Sequence, residues 1–179
     1  MLSVSQNERK FANLAPTMAT FEAVCPAAEL PNNGRRCVLI PSTGRSVLLV
    51  HHEHVIYCID QACYHHGGPL ATGDIEDMGN GMLSIKCPWH NYKISLGTGE
   101  GLYLGLEPGN MTTPVLKSKG VRQRTHPVKV EDGMVLVHDS SADGGERIAS
   151  DSYAFQTKNI PDLGKKADPT EVKLHSRMS

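Results

Sequence analysis

Cys63-Tyr64-His65-His66-Gly67-Gly68-Pro69-Leu70, followed by Cys87-Pro88-Trp89-His90, is the stretch from which the rest of the chain is read. It holds two short motifs, Cys-x-His and Cys-x-x-His, and each supplies one thiolate and one imidazole from a tight turn. Residues 66–86, between the inner histidine and the second cysteine, suffice for a loop and one strand. Two thiolates and two neutral imidazoles are the donor set of a closed tetrahedral zinc site. They are also that of a two-iron cluster with sulfur on one iron and nitrogen on the other, where thiolates stabilise ferric iron and imidazoles raise the reduction potential. The surroundings bear on the choice. A zinc loop has no need of Gly67-Gly68-Pro69-Leu70 or of Pro88-Trp89, whereas bridging sulfides need backbone N–H donors and a chain that approaches closely. Pro88 fixes φ directly after Cys87 and stiffens the second loop. Trp89 is placed to shield one face from water, and His66, beside His65, is a competing imidazole.

Outward from these loops the chain reads as β structure. Short β-branched segments at residues 37–40, 46–51, 55–60, 82–86, 93–96, 124–130 and 134–138 are divided by Gly, Pro, Asn and Asp. The first three are consecutive hairpin strands about Pro41-Ser42-Thr43-Gly44 and His52-Glu53, and Asp132-Gly133 is a tight-turn signal for a closing hairpin. Residues 27–30 make at most one helical turn, and no segment has a sustained amphipathic helical period. Three divisions follow: a flexible tail over residues 1–19, one domain over 20–140, and a C-terminal extension over 141–179 that is weakly packed or disordered. Tyr153 and Phe155 are its candidates for docking against the sheet.

Bulk properties exclude several classes. Of the 179 residues 18 are Lys or Arg and 19 Asp or Glu, and a formal net charge of -1 argues against a nucleic-acid or anionic-membrane partner. The longest apolar run, residues 47–50, falls far below the roughly 20 residues of a membrane-spanning helix. Five cysteines do not pair evenly, which fits a reducing, cytoplasmic compartment; the alternative is an organellar matrix reached by a cleaved N-terminal segment. Cys25, Cys37 and Cys58 read as small buried hydrophobes. His51, His52, His54, His126, His138 and His175 read as surface histidines. Asp74, Glu76 and Asp77 read as a solvated turn. Lys117, Lys119, Arg122 and Arg124 read as a polar loop, or else as a docking patch for an acidic redox partner.

The pattern Cys-x-His-x-Gly-Gly-Pro-Leu with Cys-Pro-Trp-His resembles the Rieske ferredoxin group. The longer text, with Gly73-Asp74-Ile75-Glu76-Asp77, Gly99-Glu100-Gly101-Leu102-Tyr103 and Ser118-Lys119-Gly120-Val121-Arg122-Gln123-Arg124-Thr125-His126, is similar to the soluble Rieske domain proteins over about residues 20–137. The resemblance implies an all-β Rieske fold: an antiparallel β-sandwich base with an inserted small cluster-binding subdomain. It implies one Rieske-type 2Fe-2S cluster held by Cys63, His65, Cys87 and His90, with His65 preferred over His66. In the respiratory branch each loop carries a further cysteine, joined in a disulfide; those positions here are Gly68 and Trp89. That branch also places a Ser and a Tyr where this chain has Tyr92 and Ile94. Fewer hydrogen bonds to cluster sulfur put the expected potential near the low end of the Rieske range, about -150 mV. The implied function is a soluble, ferredoxin-like one-electron carrier served by a reductase donor and an acceptor that the sequence does not name. Alternatives are an electron-transfer subunit of a multicomponent oxygenase or reductase, and a redox or iron-status sensor. No second iron site of the two-His, one-carboxylate kind follows the domain, so a self-contained oxygenase is not expected.

Overall fold

The computed structural model describes residues 19–157. Val47, Leu48, Leu49 and Val50 are all fully buried. Successive side chains of a strand point to opposite faces, so four buried in a row require cover on both sides. Their strand is the centre of the middle layer of three. Val47 and Leu49 pack with Cys25, Val38, Ile40, Val135 and Val137. Leu48 and Val50 face the other way, into a core with Ile59, Leu70, Ile75, Ile85 and Ile94. Each such side chain contributes about 1.5–3 kcal/mol on burial.

The middle sheet is β2 (Arg35–Leu39), β3 (Ser46–His52) and β4 (Val55–Asp60) in sequential order. One flank is a sheet of β1 (Phe21–Pro26), β10 (Val128–Glu131) and β11 (Met134–His138), ordered β1-β11-β10. The other is the five-stranded meander β5 (Asp74–Asp77), β6 (Leu83–Lys86), β7 (Lys93–Ser95), β8 (Glu100–Glu107) and β9 (Asn110–Val121). Every pairing is antiparallel. The first Cys/His loop leads from β4 into the start of β5, and the second joins β6 to β7; Asp74 pairs with Lys86 and Lys86 with Lys93, so both loops lie at one end of the meander. This is the all-β arrangement expected, a sandwich base with an inserted cluster-binding subdomain. The closing hairpin pairs Glu131 with Met134 across Asp132-Gly133, both at positive φ.

Several expectations change. Residues 124–130 are strand only from Val128, because Pro127 lacks an N–H and the Arg124 side chain turns inward to Asp151. Asp74–Asp77 is strand β5 rather than a turn, and Glu76 is ion-paired with Lys86 and Lys93. Lys117 and Lys119 lie on β9 rather than a loop. His126 and His138 are buried, not at the surface, each beside a carboxylate: Asp60 for His126 and Asp143 for His138. Weak packing does not hold for the start of the C-terminal extension, where Ser150 and Ala154 are buried about a short 3-10 turn, Ala149–Tyr153. Tyr153 docks on the first Cys/His loop, at the His65 carbonyl, rather than against the sheet, and Phe155 is exposed. The single helical turn is present at Ala27–Glu29, and Cys25, Cys37 and Cys58 are buried and in no disulfide. The tail over residues 1–18, and His175 with the rest of the extension beyond residue 157, lie outside the described residues.

Candidate metal centre

The two loops close by the same backbone device. In each, the cysteine N–H donates to the carbonyl five residues on, Cys63 to Gly68 and Cys87 to Tyr92, both at 2.8 Å. Each cysteine carbonyl in turn accepts from the N–H four residues on, Gly67 at 2.8 Å and Asn91 at 2.9 Å. The fourth residue has φ of 71° at Gly67 and 58° at Asn91, a left-handed conformation that Gly and Asn adopt at least cost. The turn so formed aims two further N–H groups at sulfur: those of His65 and His66 at Cys63, and those of Trp89 and His90 at Cys87.

Burial divides the four predicted ligands into two pairs. Cys63 and Cys87 are 0% and 1% exposed and hydrogen-bonded to each other. The His65 and His90 rings lie on the outward side, with centroids 4.9 Å apart and edge to face. Among the described residues no three His, Cys, Asp or Glu side chains converge as a single-ion site would. His66 packs on His65 at 4.0 Å and stands farther from His90, at 5.7 Å. A Cβ at Gly68 would lie 2.8 Å from the Cys87 sulfur, so only glycine lets the first loop pass over the second cysteine. Trp89 covers Gly68 with one face but is 47% exposed, so its shielding is one-sided.

The electrostatics match a ligand set. The bond from Cys63 lowers the Cys87 thiol to about 6, helped by the N–H groups of Trp89 and His90. As donor of that bond, and by its burial, Cys63 is raised. Desolvation and the nearby His66, His90 and Lys119 lower His65, which keeps its imidazole neutral, the form that binds metal. His65 Nδ1 is shut off from solvent with no hydrogen-bond partner. A buried ring nitrogen without a partner, beside two cradled thiols, fits a metal cofactor.

Behind the first loop stands a polar cluster that spacing alone does not reveal. Gln123 accepts from the Tyr64 N–H at 2.9 Å and donates to the carbonyls of Asp60 and Ala62 at 2.8 and 2.9 Å. Asp60, fully buried, accepts from Arg45 at 2.6 and 2.9 Å and from Ser150 at 2.5 Å, with His126 Nε2 at 3.2 Å. Burial opposes its charge, but His126 and Arg45 more than offset this and hold Asp60 below the usual carboxylate range. Gln123 lies inside a stretch that resembles the Rieske proteins, yet its spacing carries no sign of this role; the sign is its amide, fully buried, whose loss would leave three backbone groups unpaired.

Paired Cys/His loops at the tip of a three-layered β domain define a Rieske-type iron-sulfur protein. A family model of soluble Rieske-type ferredoxins matches residues 28–142, and the chain belongs to that family. A Rieske domain-containing protein of Homo sapiens is 39% identical over 125 residues, which cover 68% of this chain and 78% of that one. Among solved structures, a Mycobacterium tuberculosis protein assigned as an NADH-dependent nitrite reductase small subunit is 17% identical with a TM-score of 0.53, over 68% of this chain and 96% of that one. The terminal oxygenase of carbazole 1,9a-dioxygenase from Novosphingobium sp. KA1 is 21% identical with a TM-score of 0.50, over 81% of this chain and 32% of that one. These two share the fold. The protein is accordingly a one-electron carrier of the Rieske type with a 2Fe-2S cluster. Among the described residues no helix is long and apolar enough to cross a membrane.

Proposed function

We propose that Cys63 and Cys87 hold one iron of the cluster and His65 and His90 the other, and that electrons enter and leave by the imidazole edge. The observation that carries this is the sorting of the four side chains: thiols buried and in contact, imidazoles outward and stacked edge to face. When bound, the cluster accepts and releases one electron without group transfer. The chain's part is mechanical and electrostatic. The four N–H groups aimed at sulfur favour added negative charge, and the reciprocal loop bonds limit how far the ligands shift when that charge changes. Tyr92 packs on His65 at 4.3 Å between ring centroids, and Lys119 Nζ lies 4.8 Å from the Tyr92 ring, so an aromatic ring and a cation border the electron port on the His65 side.

The unit that performs this is the domain of residues 20–140 with the short docked segment after it. Its partners are a reductase as donor and a separate acceptor protein, and five cysteines with no disulfide among them fit a reducing, cytoplasmic setting. The ligand assignment is tested by replacing each cysteine with serine in protein purified without oxygen. Cys63→Ser and Cys87→Ser lose iron, acid-labile sulfide and colour together. A Cys87→Ser protein with its full iron and sulfide removes the assignment.

A further inference from the structure

The family match ends at residue 142, yet the chain continues as a strap that returns to the first cluster loop. Three anchors fix it. Asp151 takes two bonds from Arg124, at 2.7 and 2.6 Å, with a third contact from Arg45 and a bond from the Ile148 N–H at 2.8 Å. Ser150 Oγ donates to Asp60 and accepts from the Arg124 N–H at 2.9 Å. The Ala154 carbonyl accepts from the Ser46 N–H at 2.8 Å, at the start of β3. Burial opposes the Asp151 charge, but the bonds from Arg124, Ile148 and Arg45 outweigh it and hold the carboxyl well below its ordinary range.

So held, the strap sets Tyr153 and Gln156 against Gly67, where a Cβ would collide with both. The Tyr153 hydroxyl donates to the His65 carbonyl at 3.2 Å. That carbonyl belongs to the same peptide group as the His66 N–H, which points at the Cys63 sulfur. Donation to the oxygen of an amide polarises the group and strengthens donation by its N–H. Hydrogen bonds to cluster sulfur stabilise the reduced state and raise the potential.

We propose that Tyr153 is a positioning residue that tunes the reduction potential through the His65–His66 peptide, raising it by a relay from hydroxyl to carbonyl to N–H to Cys63 sulfur. The inference rests on Cys63 being a cluster ligand. It assigns a redox role to a segment outside the family match, and it makes the strap a determinant of potential as well as a clamp on the loop.

The test is Tyr153→Phe, which keeps the ring over Gly67 and removes only the hydroxyl. The expected result is a two- to threefold shift of the redox equilibrium toward the oxidised form. At 59 mV per tenfold for one electron this is a fall of about 20–30 mV in midpoint potential. Iron content and melting temperature stay at the wild-type value, which a purely structural role would not combine with a changed potential. An unchanged or raised potential overturns the relay. Amide exchange at residues 65–68 in cluster-free protein separates this from the ligand assignment: faster exchange in Tyr153→Phe supports the hydrogen bond, and unchanged exchange removes it, whatever holds the cluster. Tyr153→Ala, which also uncovers Gly67, accelerates that exchange further.

Discussion

Gly68→Ala probes the closeness of the two loops. The new Cβ would stand 2.8 Å from the Cys87 sulfur and 3.2 Å from the Trp89 ring. Optimal non-bonded contacts lie near 3.5–4.0 Å, so one loop must retreat by about 0.7 Å or more. Neither is free to do so: Gly68 is tied through its carbonyl to Cys63, and Cys87 through its N–H to Tyr92. Overpacking of this kind costs about 1–3 kcal/mol, and at about 2–4 °C per kcal/mol for a chain of this length the melting point falls by roughly 2–12 °C. The domain therefore survives, but a sulfur displaced by about 0.7 Å is well outside the roughly 0.2 Å latitude of a metal-ligand bond. The assay is thermal unfolding by circular dichroism beside iron and sulfide determination. The expected outcome is a folded, lower-melting protein with little iron. Gly145→Ala, whose Cβ meets nothing within 4 Å, is the harmless control. A Gly68→Ala protein with wild-type iron content and melting point would refute the packing.

Two further outcomes concern the polar cluster behind the loop. Asp60→Asn leaves the Arg45 guanidinium, 2% exposed, with Asp151 as its remaining carboxylate partner. Removing one member of a buried pair costs about 3–5 kcal/mol, read as a lower urea midpoint at constant slope; a loss under about 1 kcal/mol would show that the network is not coupled to folding. The second is acid sensitivity. Asp60, Asp139 and Asp151 all sit below their ordinary range in the fold, so they contribute stability above the unfolded carboxylate pKa, about 3.9, that is lost as pH falls through their folded values. Strap protection in amide exchange is therefore flat from neutral pH to about 4 and declines below it, whereas a decline centred above pH 5 would contradict the assigned pairing.

How much of this was legible in the sequence depends on the distance over which each residue finds its partner. The cluster loops were readable because cysteine, histidine and glycine act within one turn, and Val55–Asp60 and Met134–His138 because local patterning and a two-residue turn define them. The β8–β9 ribbon was not, since Tyr103, Leu104, Leu106 and Leu116 are all about 40% exposed and no half-buried alternation marks the strands. His126 looks like any surface histidine until Asp60, 66 residues away, is placed beside it. The strap was hidden for the same reason: a Ser/Asp/Gly-rich segment reads as a loose tail, and only the fold brings Asp151 between Arg45 and Arg124.

The central claim is that sulfur binds one iron and nitrogen the other. Pulsed EPR of the reduced protein, with only histidine labelled with nitrogen-15, reads the nitrogen ligands directly. Two distinct labelled couplings, one of them lost in His90→Ala or in whatever cluster that variant retains, are the predicted result. A paramagnetic cluster with no histidine nitrogen coupling would contradict it.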